Sequence, residues 1–416
     1  MKKHSLWLAL LAASCSLNAQ ARPNADQGLT GQERFFGELR LFDFTREFNY
    51  GQPHWHDTSL GGLFGYRSDQ WQGLSFGGTF ASANPLNWHG GEIYGLVGSD
   101  SDNKKGERKA VNRAQEYFVR AERWNTALTL GAHQLSSPMM NTHEIRALPR
   151  SFRGAFVENQ SLDGIRLQAH YVTDSLDFTR NTFIPVSQAV EEELAKRGVE
   201  ITVADNPVYA FGASYESGSS NSRAIQAKVD AWVYHMPDVL NQYYGKLTLT
   251  KSFGDTKGYF SPSWLRQQSS HTLGEEVLDT YQYGAHLGFE RQGLNTALIY
   301  ARTGEDAMFT PWGDSNVIQQ QVYGTGRGND NAYGVKLAYD LTRLGLQGLS
   351  ASALYASYRS IDEQTEDFYE LDMMLGYELS HWLQGASAKV RYAIAEFDQG
   401  IRVDDLRVQL YYKFTL

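Results

Sequence analysis

The chain nearly lacks cysteine and has no long hydrophobic run beyond its first residues. Its 416 residues include 1 Cys, so an intramolecular disulfide is excluded. Mean hydropathy is −0.45, and after residue 21 no stretch approaches the ~20 apolar residues that a transmembrane helix needs. Positive charge is also scarce, with 38 Lys and Arg against 47 Asp and Glu. Such a chain is a poor nucleic-acid binder, because little in it would neutralise phosphates.

The first residues have the three parts of a secretory signal. Two lysines precede an apolar stretch from Ser5 to Leu17, and Ala19-Gln-Ala21 is an A-x-A cleavage site. We therefore predict a cleaved signal peptide at residues 1–21 and a mature chain that starts at Arg22. A lipoprotein signal ending at Cys15 is the alternative. A cut after the A-x-A site leaves no cysteine, which excludes thiolate metal sites and iron–sulfur clusters.

Aromatic residues and glycine are abundant, whereas proline is not. The chain has 24 Tyr, 21 Phe and 39 Gly against 10 Pro. A polar chain of this composition suits a transmembrane barrel, in which only alternate residues meet lipid, aromatics mark both interfaces and the interior is polar. A soluble, secreted β-rich protein has a similar composition, so composition alone leaves both classes open.

Alternation with a period of two recurs along the chain and predicts strands. At the carboxyl end Leu406, Val408, Leu410, Tyr412, Phe414 and Leu416 alternate with Arg407, Gln409, Tyr411, Lys413 and Thr415. Short links are predicted near residues 67–73, 123–126, 174–176, 217–222, 252–256, 291–293, 342–347 and 380–385. The other connections, mostly longer, are predicted at residues 46–57, 82–115, 134–162, 184–207, 236–242, 267–277, 303–331, 359–368 and 398–403.

These connections predict an all-β fold, a transmembrane antiparallel β-barrel of about 18 strands with long outer loops, and an even strand number suits such barrels. We expect the barrel to be a single domain over residues 22–416, with both termini at the end that carries the short turns. Soluble sandwiches show no comparable asymmetry between short and long connections. Closure would also satisfy every backbone hydrogen bond in lipid.

The third long segment, residues 134–162, is rich in charge. It carries His143, Glu144, Arg146, Arg150, Arg153 and Glu158. Folded into the barrel, these guanidiniums would line a constriction and could grip carboxylates in a bidentate manner. A loop that lies over the rim with solvated charges is the alternative.

A second set of basic residues lies on strand faces. A lipid-facing Arg or Lys at the membrane midplane costs about 2–4 kcal/mol, so in a barrel these side chains must point into the lumen. Some of them would pair with lumen acids such as Glu38. The predicted lumen residues are Arg40, Lys336, Lys389, Arg391 and Arg407, with Arg359, at a strand end, as a weaker candidate.

Metal binding and catalysis have little support in the sequence. His54-Trp-His56-Asp57 offers two imidazoles and one carboxylate, a poor closed zinc site, and an exposed loop at the barrel rim is the favoured interpretation. The chain has no H-E-x-x-H and no phosphate-binding loop motif. We therefore predict no cofactor and no enzyme activity, although barrel hydrolases assemble their residues in space and stay an alternative.

Three segments resemble the OprD-type, substrate-specific outer membrane porins of Gram-negative bacteria. Leu148-Pro-Arg-Ser-Phe-Arg-Gly154, followed by Leu162-Asp-Gly-Ile-Arg-Leu167, resembles the third-loop region of that family. Leu39–Phe48 resembles its first strand, and Gly304–Gly313 resembles its seventh loop. One departure is the last residue, Leu416, where such barrels usually end on an aromatic side chain.

The resemblance implies an eighteen-stranded barrel whose third and seventh loops fold into the lumen as an eyelet. It also implies a ladder of arginines and lysines that guides carboxylate-bearing solutes past an acidic patch. Arg150 and Arg153 match the third-loop motif, Arg40 matches the first-strand arginine, and Asp306 matches the acidic position of the seventh loop.

The expected function is passive, substrate-preferring diffusion of small, carboxylate-bearing solutes through a basic-lined channel. A chitoporin-like sugar channel is the alternative, and Trp88, Trp312 and Tyr355 would favour it if they lined the lumen. A barrel hydrolase and an adhesin are further alternatives. Expected partners are outer membrane lipid and lipopolysaccharide, a small solute and the barrel assembly machinery, with no nucleic acid. Monomer and homotrimer both stay open.

Overall fold

A computed structural model describes residues 34–86, 95–99, 107–142, 145–217, 224–270, 278–313 and 316–416. The predicted signal peptide and residues Trp88, His143 and Glu144 lie outside these ranges. Among the described residues, no helix is both long enough and apolar enough to cross a membrane.

Eighteen long strands account for most of the described chain. In chain order, β1 to β18 are Phe35–Phe48, Trp55–Arg67, Leu74–Pro85, Val111–Arg123, Thr126–His133, Ser151–Leu162, Ile165–Leu176, Val208–Glu216, Gln226–Met236, Leu240–Phe253, Thr256–Ser269, Thr280–Arg291, Leu294–Thr303, Asp330–Asp340, Leu349–Ser360, Phe368–Glu378, Ala386–Phe397 and Arg402–Thr415. Three two-residue strands lie in loops, at Gly98–Ser99, Arg108–Lys109 and Ile184–Pro185. Among the described residues there is one α-helix, α1, at Val186–Ala195, and a 3-10 turn at Leu341–Leu344.

Each long strand pairs antiparallel with its neighbours in the sequence. The sheet closes where β1 pairs with β18, from Phe36 opposite Thr415 to Phe48 opposite Val403. Closure leaves no open edge among these strands, which is what a lipid environment requires. The prediction of an antiparallel barrel of about 18 strands is confirmed.

The connections divide the barrel into two ends. We call the end with residues 86–110 (L2), 134–150 (L3), 177–207 (L4), 304–329 (L7) and 361–367 (L8) the loop end, and the opposite end the turn end. The chain enters β1 and leaves β18 at the turn end, as the alternation of connections predicts.

The strand faces differ as the period of two requires. One face carries large apolar side chains that are exposed on the outside of the isolated chain, among them Leu39, Phe64, Leu130, Leu298 and Val335. The other face points inward and holds most of the charged strand residues. An outer apolar belt around a polar interior is the pattern of a lipid-embedded barrel.

The predicted boundary of the third loop is wrong in its second half. Ser151–Leu162 form strand β6, and residues 174–176 belong to β7 rather than to a short turn. The turn between these strands is the pair Asp163-Gly164, where Gly164 has φ +70°. Asp-Gly is a strong hairpin signal, and here the glycine takes the positive φ that the two-residue turn requires.

The described parts of L2, L3, L4 and L7 fold into the barrel and form its apolar core. Met140 of L3, Leu194 of α1 and Phe309 of L7 pack together against the inner wall. Further along, Leu148 of L3 packs with L2 against β1, and Ile318 of L7 packs against β13 to β15. Each fully buried large apolar side chain contributes about 1.5–3 kcal/mol, so burial holds these loops inside, as the family resemblance implies for the third loop.

Candidate functional site

L3 is fixed to the inner wall by hydrogen bonds to its backbone carbonyls. Arg40 Nη1 on β1 donates to the Ala147 carbonyl oxygen at 3.1 Å. Arg113 Nη2 and Gln115 Nε2 on β4 donate to the Pro149 carbonyl oxygen at 2.7 and 3.0 Å. Two separate parts of the wall therefore hold the carboxyl-terminal half of L3.

L3, L4 and L7 also contact one another. The Asn141 amide of L3 donates to the Trp312 carbonyl oxygen of L7 at 2.9 Å. Gly313 is so close to Met139 that a Cβ atom there would lie 2.3 Å from the Met139 carbonyl carbon. Arg197 Nη2 of L4 donates to the Met308 carbonyl oxygen of L7 at 2.7 Å. The three loops form one unit inside the lumen.

The tip of L7 lies on a group of wall carboxylates. Glu370 on β16 accepts hydrogen bonds from the amides of Val322 and Tyr323, both at 2.8 Å. Asp372, two residues further on, accepts one from the Gln321 amide at 2.8 Å. Glu370 is fully buried. An acidic patch is present on the wall, and L7 covers it.

Four of the predicted lumen cations come together on three adjacent strands. Arg391 on β17 lies directly opposite Arg407 on β18. Lys389 is two residues from Arg391 on the same inward face, and Tyr411 on β18 lies opposite Arg40 on β1. The Tyr411 ring centre is 5.7 Å from the Arg40 guanidinium and 5.8 Å from Lys389 Nζ. These cations descend stepwise from the loop end towards the turn end.

Two members of this ladder are buried and hold other groups in place. Arg40 is 3% exposed and pairs with Glu38 at 3.0 Å, in addition to its bond to L3. Arg407 is 2% exposed, pairs with Asp405 at 2.8 Å and donates to the Gln321 carbonyl oxygen at 2.8 Å. Arg391 and Lys389 are half-buried. Within the described residues, Arg391 forms no hydrogen bond or ion pair.

Lys336 lies inside the barrel but apart from the ladder. It is on β14, between Ala297 and Leu354, and is 6% exposed. The strands β15 and β16 separate it from Arg391. Lys336 pairs with Leu354 on β15, and Leu354 pairs with Asp372 on β16, so the three residues lie at the same level of the sheet.

Arg153 and Arg359 lie on the outward face at the loop end. Arg153 shares its face with Val157 and binds Asp174 through Nε and Nη2 at 2.9 and 2.5 Å. Arg359 shares its face with Tyr355 and donates to Asp367 at 2.8 Å, with its side chain 58% exposed. The structure therefore does not bring these two arginines to the inner wall.

Arg150 and Arg146 of L3 gather around Phe178 of L4. The Arg150 guanidinium lies 4.3 Å from the ring centre and Nε donates to Asp177 at 2.8 Å, whereas the Arg146 guanidinium lies 5.9 Å from the ring. Burial alone would raise the pKa of Asp177, but the charge and hydrogen bond of Arg150 outweigh it and hold that pKa below 3.8. This contact joins L3 to L4.

The two predicted acidic site residues lie apart. Glu158 is on the inward face of β6 towards the turn end, where Gln160 donates to it at 2.5 Å and Arg166 lies 3.9 Å away. Asp306 lies at the start of L7, where its backbone carbonyl accepts a hydrogen bond from Thr280 Oγ1 at 2.7 Å. The acids that face the ladder are instead Glu370, Asp372 and Asp405, which the sequence reasoning did not single out.

The histidine motif near β2 does not converge on one point. Residues 56 and 57 belong to β2 rather than to a rim loop, so their side chains point to opposite faces. His56 lies 3.4 Å from Asp43, whereas Asp57 accepts hydrogen bonds from the Gly95 amide of L2 at 3.0 Å and from Arg108 at 2.8 Å. No group of three or more potential metal ligands occurs in the part of the chain that the structure describes.

The aromatic residues proposed for sugar stacking do not form a lumen surface. Tyr355 is 42% exposed on the outward face, and Trp312 is 3% exposed within the loop core. Trp88 lies outside the described residues.

The alternation of residues along the strands could have predicted the wall acids Glu370, Asp372 and Asp405. Glu370 and Asp372 share one face of β16, and Asp405 and Arg407 share one face of β18.

Comparisons with known proteins agree with this architecture. A sequence model described as outer membrane porin, OprD family, matches residues 95–416. No curated protein matches the chain. The chain is similar in structure to Pseudomonas aeruginosa OpdK with vanillate, with a TM-score of 0.79 and 16% identity over 94% of this chain and 100% of that one.

Two further solved structures are similar to a comparable degree. Pseudomonas aeruginosa OccK9 (OpdG) has a TM-score of 0.78 and 20% identity over 92% of this chain and 99% of that one. Acinetobacter baumannii OccAB4 has a TM-score of 0.77 and 14% identity over 93% of this chain and 100% of that one. At these identities the likeness shows a common fold.

Proposed function

The chain belongs to the OprD family of outer membrane porins, and we propose that it passes small carboxylate-bearing solutes by passive diffusion along the basic ladder. The family and the fold are those of channels rather than of enzymes. The observation that carries the proposal is Arg391, an inward-facing, half-buried guanidinium that forms no hydrogen bond or ion pair with the described residues.

The chemistry of the ladder suits carboxylates. A guanidinium presents two parallel N–H donors that match the two oxygens of a carboxylate. Lys389 lies two residues further along β17 and offers a second cation, a compact point charge. A solute bound in turn at several weak sites can enter and still leave, so diffusion down a gradient needs no energy source.

The buried arginines have a different part in this proposal. Arg40 and Arg407 contribute positive field, but their hydrogen bonds go to L3, L7 and wall carboxylates. Their main role is to hold the constricting loops. Arg153 and Arg359 are left out of the proposed solute path because they lie on the outward face.

One solved neighbour supports the substrate class. OpdK has a structure with vanillate, and vanillate is a small carboxylate. The sugar alternative has less support, because Tyr355 faces outward and Trp312 is buried.

We also propose export through a cleaved signal at residues 1–21, assembly by the barrel assembly machinery and contact with lipopolysaccharide. Monomer and homotrimer are both compatible with the proposal.

The test is conductance of the refolded protein in a planar bilayer, titrated with small carboxylates and then with neutral oligosaccharides. Discrete openings that carboxylates block in a concentration-dependent manner are expected. Block by oligosaccharides alone would favour the sugar channel. A folded barrel without conductance would contradict the channel function.

A further inference from the structure

We propose that Gln321, at the tip of L7, is a positioning residue that keeps Asp372 away from Arg391 and thereby leaves this guanidinium available to a solute. This inference rests on the proposed function, since it concerns the same path. A single loop residue would thus control the carboxylate preference of the channel.

Gln321 spans the space between two wall carboxylates. Its backbone amide donates to Asp372 Oδ2 on β16 at 2.8 Å. Its side-chain Nε2 donates to Asp405 Oδ1 on β18 at 2.6 Å and to the Asp405 carbonyl oxygen at 2.9 Å. Its own carbonyl accepts from Arg407 Nη2 at 2.8 Å. Gln321 is 8% exposed, so these bonds are shielded from water.

The wall is shaped to receive this residue. Asp372, Ala393 and Asp405 lie side by side on β16, β17 and β18. Ala393 is fully buried, and its small side chain leaves room above β17 for Gln321. A larger residue at this position of β17 would fill the space that Gln321 occupies.

Arg391 lies one step below this level, on the same strand and face as Ala393. Its direct neighbours in register are Met374 on β16 and Arg407 on β18. Asp372 is therefore a diagonal neighbour of Arg391, within reach of long side chains on adjacent strands. No N–H or hydroxyl donor among the described residues binds Asp372 Oδ1, and the Asp372 carboxyl group also lies close to that of Glu370.

The arrangement is poised between two pairings. With Gln321 seated, Asp372 is turned towards the L7 amide, and Arg391 faces the lumen. Without the Gln321 side chain, the L7 amide loses its anchor on Asp405, and the nearest cation available to Asp372 on adjacent strands is Arg391. A carboxylate–guanidinium pair is strong in a site of low dielectric constant, so a solute would have to displace Asp372.

The experiment compares carboxylate block of the channel in wild type, Gln321→Met, Asp372→Asn and the double variant. Methionine keeps the length of glutamine but donates no hydrogen bond. We expect Gln321→Met to weaken block by roughly tenfold, the scale of a hydrogen bond to a charged group. Asp372→Asn in the Gln321→Met background should restore the wild-type affinity, because the competing carboxylate is then gone.

Recovery of affinity in the double variant distinguishes a positioning role of Gln321 from a role in simply anchoring L7. If Gln321 only anchored L7, the second substitution would remove another loop contact and could not restore affinity. Unchanged block in Gln321→Met, or no recovery in the double variant, would overturn the inference while leaving the proposed function intact. A wild-type channel that no carboxylate blocks would overturn both. Gln364→Met, in the exposed loop L8, is the matched control, and heat-dependent gel mobility confirms that each barrel is folded.

Discussion

Arg40 Nη1 and the carbonyl oxygen of Ala147 lie 3.1 Å apart, which joins the first strand of the wall to the third loop. The same guanidinium holds Glu38 through Nε at 3.0 Å. A residue that the sequence marks as part of a solute ladder therefore also fixes the constriction. Its removal affects the loop and a buried carboxylate at once.

Arg40→Ala is expected to loosen L3 without preventing barrel formation. Glu38 would be left as a buried charge without its arginine, a change that costs about 3–5 kcal/mol in comparable buried pairs. The measurements are the urea midpoint and trypsin cleavage after Arg146 or Arg150 of L3. Arg40→Met combined with Glu38→Gln should recover the urea midpoint but keep the rapid cleavage. Slow cleavage in both variants would show that Arg40 does not hold L3.

Gly154→Ala should destabilise the barrel at the root of L3. A Cβ atom at Gly154 would lie 1.9 Å from the carbonyl oxygen of Tyr171 on β7, next to an irregularity in the pairing of β6 and β7. Backbone has to move to relieve this contact, and overpacking typically costs about 1–3 kcal/mol. Gly245→Ala is the control, since a Cβ atom there meets nothing within 4 Å. Equal urea midpoints for the two variants would refute the close approach.

The Arg150–Asp177 contact predicts a pH dependence of loop order. The pKa of Asp177 is held below 3.8 in the folded chain, so the contact contributes stability above about pH 4. This contribution is lost as the pH falls through the lowered pKa. Open-channel current noise should therefore rise on acidification below this point. The Asp177→Asn variant should show the raised current noise already at neutral pH. If acidification still raises its noise as much as that of wild type, a group other than Asp177 is responsible.

Sequence pattern located most strands because the barrel separates a lipid face from a polar face at every second residue. It failed at Ser151–Leu162, where charged residues and an irregularity between Arg153 and Gly154 disturb the alternation. The Asp163-Gly164 turn was the better signal there. Because residues 151–162 were predicted to be loop, Arg153 was assigned to the constriction, whereas it lies on a strand.

The ladder could be predicted only in part. Alternation placed Arg40, Lys336, Lys389, Arg391 and Arg407 on inward faces, because each shares its strand with exposed apolar neighbours. It could not tell which of them a distant loop covers. Arg407 is buried by Gln321, 86 residues away in sequence, and Arg40 by Ala147, 107 residues away. Such contacts depend on how loops fold inward, which no local pattern reports.

The central claim is that Arg391 makes the channel prefer carboxylates, and the zero-current potential across a bilayer tests it most directly. Wild type and Arg391→Ala are compared in a gradient of sodium benzoate, with Arg291→Ala as control, an arginine on the outward face at the turn end. The account predicts that the zero-current potential indicates anion preference in wild type and in the control. In Arg391→Ala the potential should shift towards zero or reverse. An unchanged potential in a folded Arg391→Ala barrel, or cation preference in wild type, would contradict it.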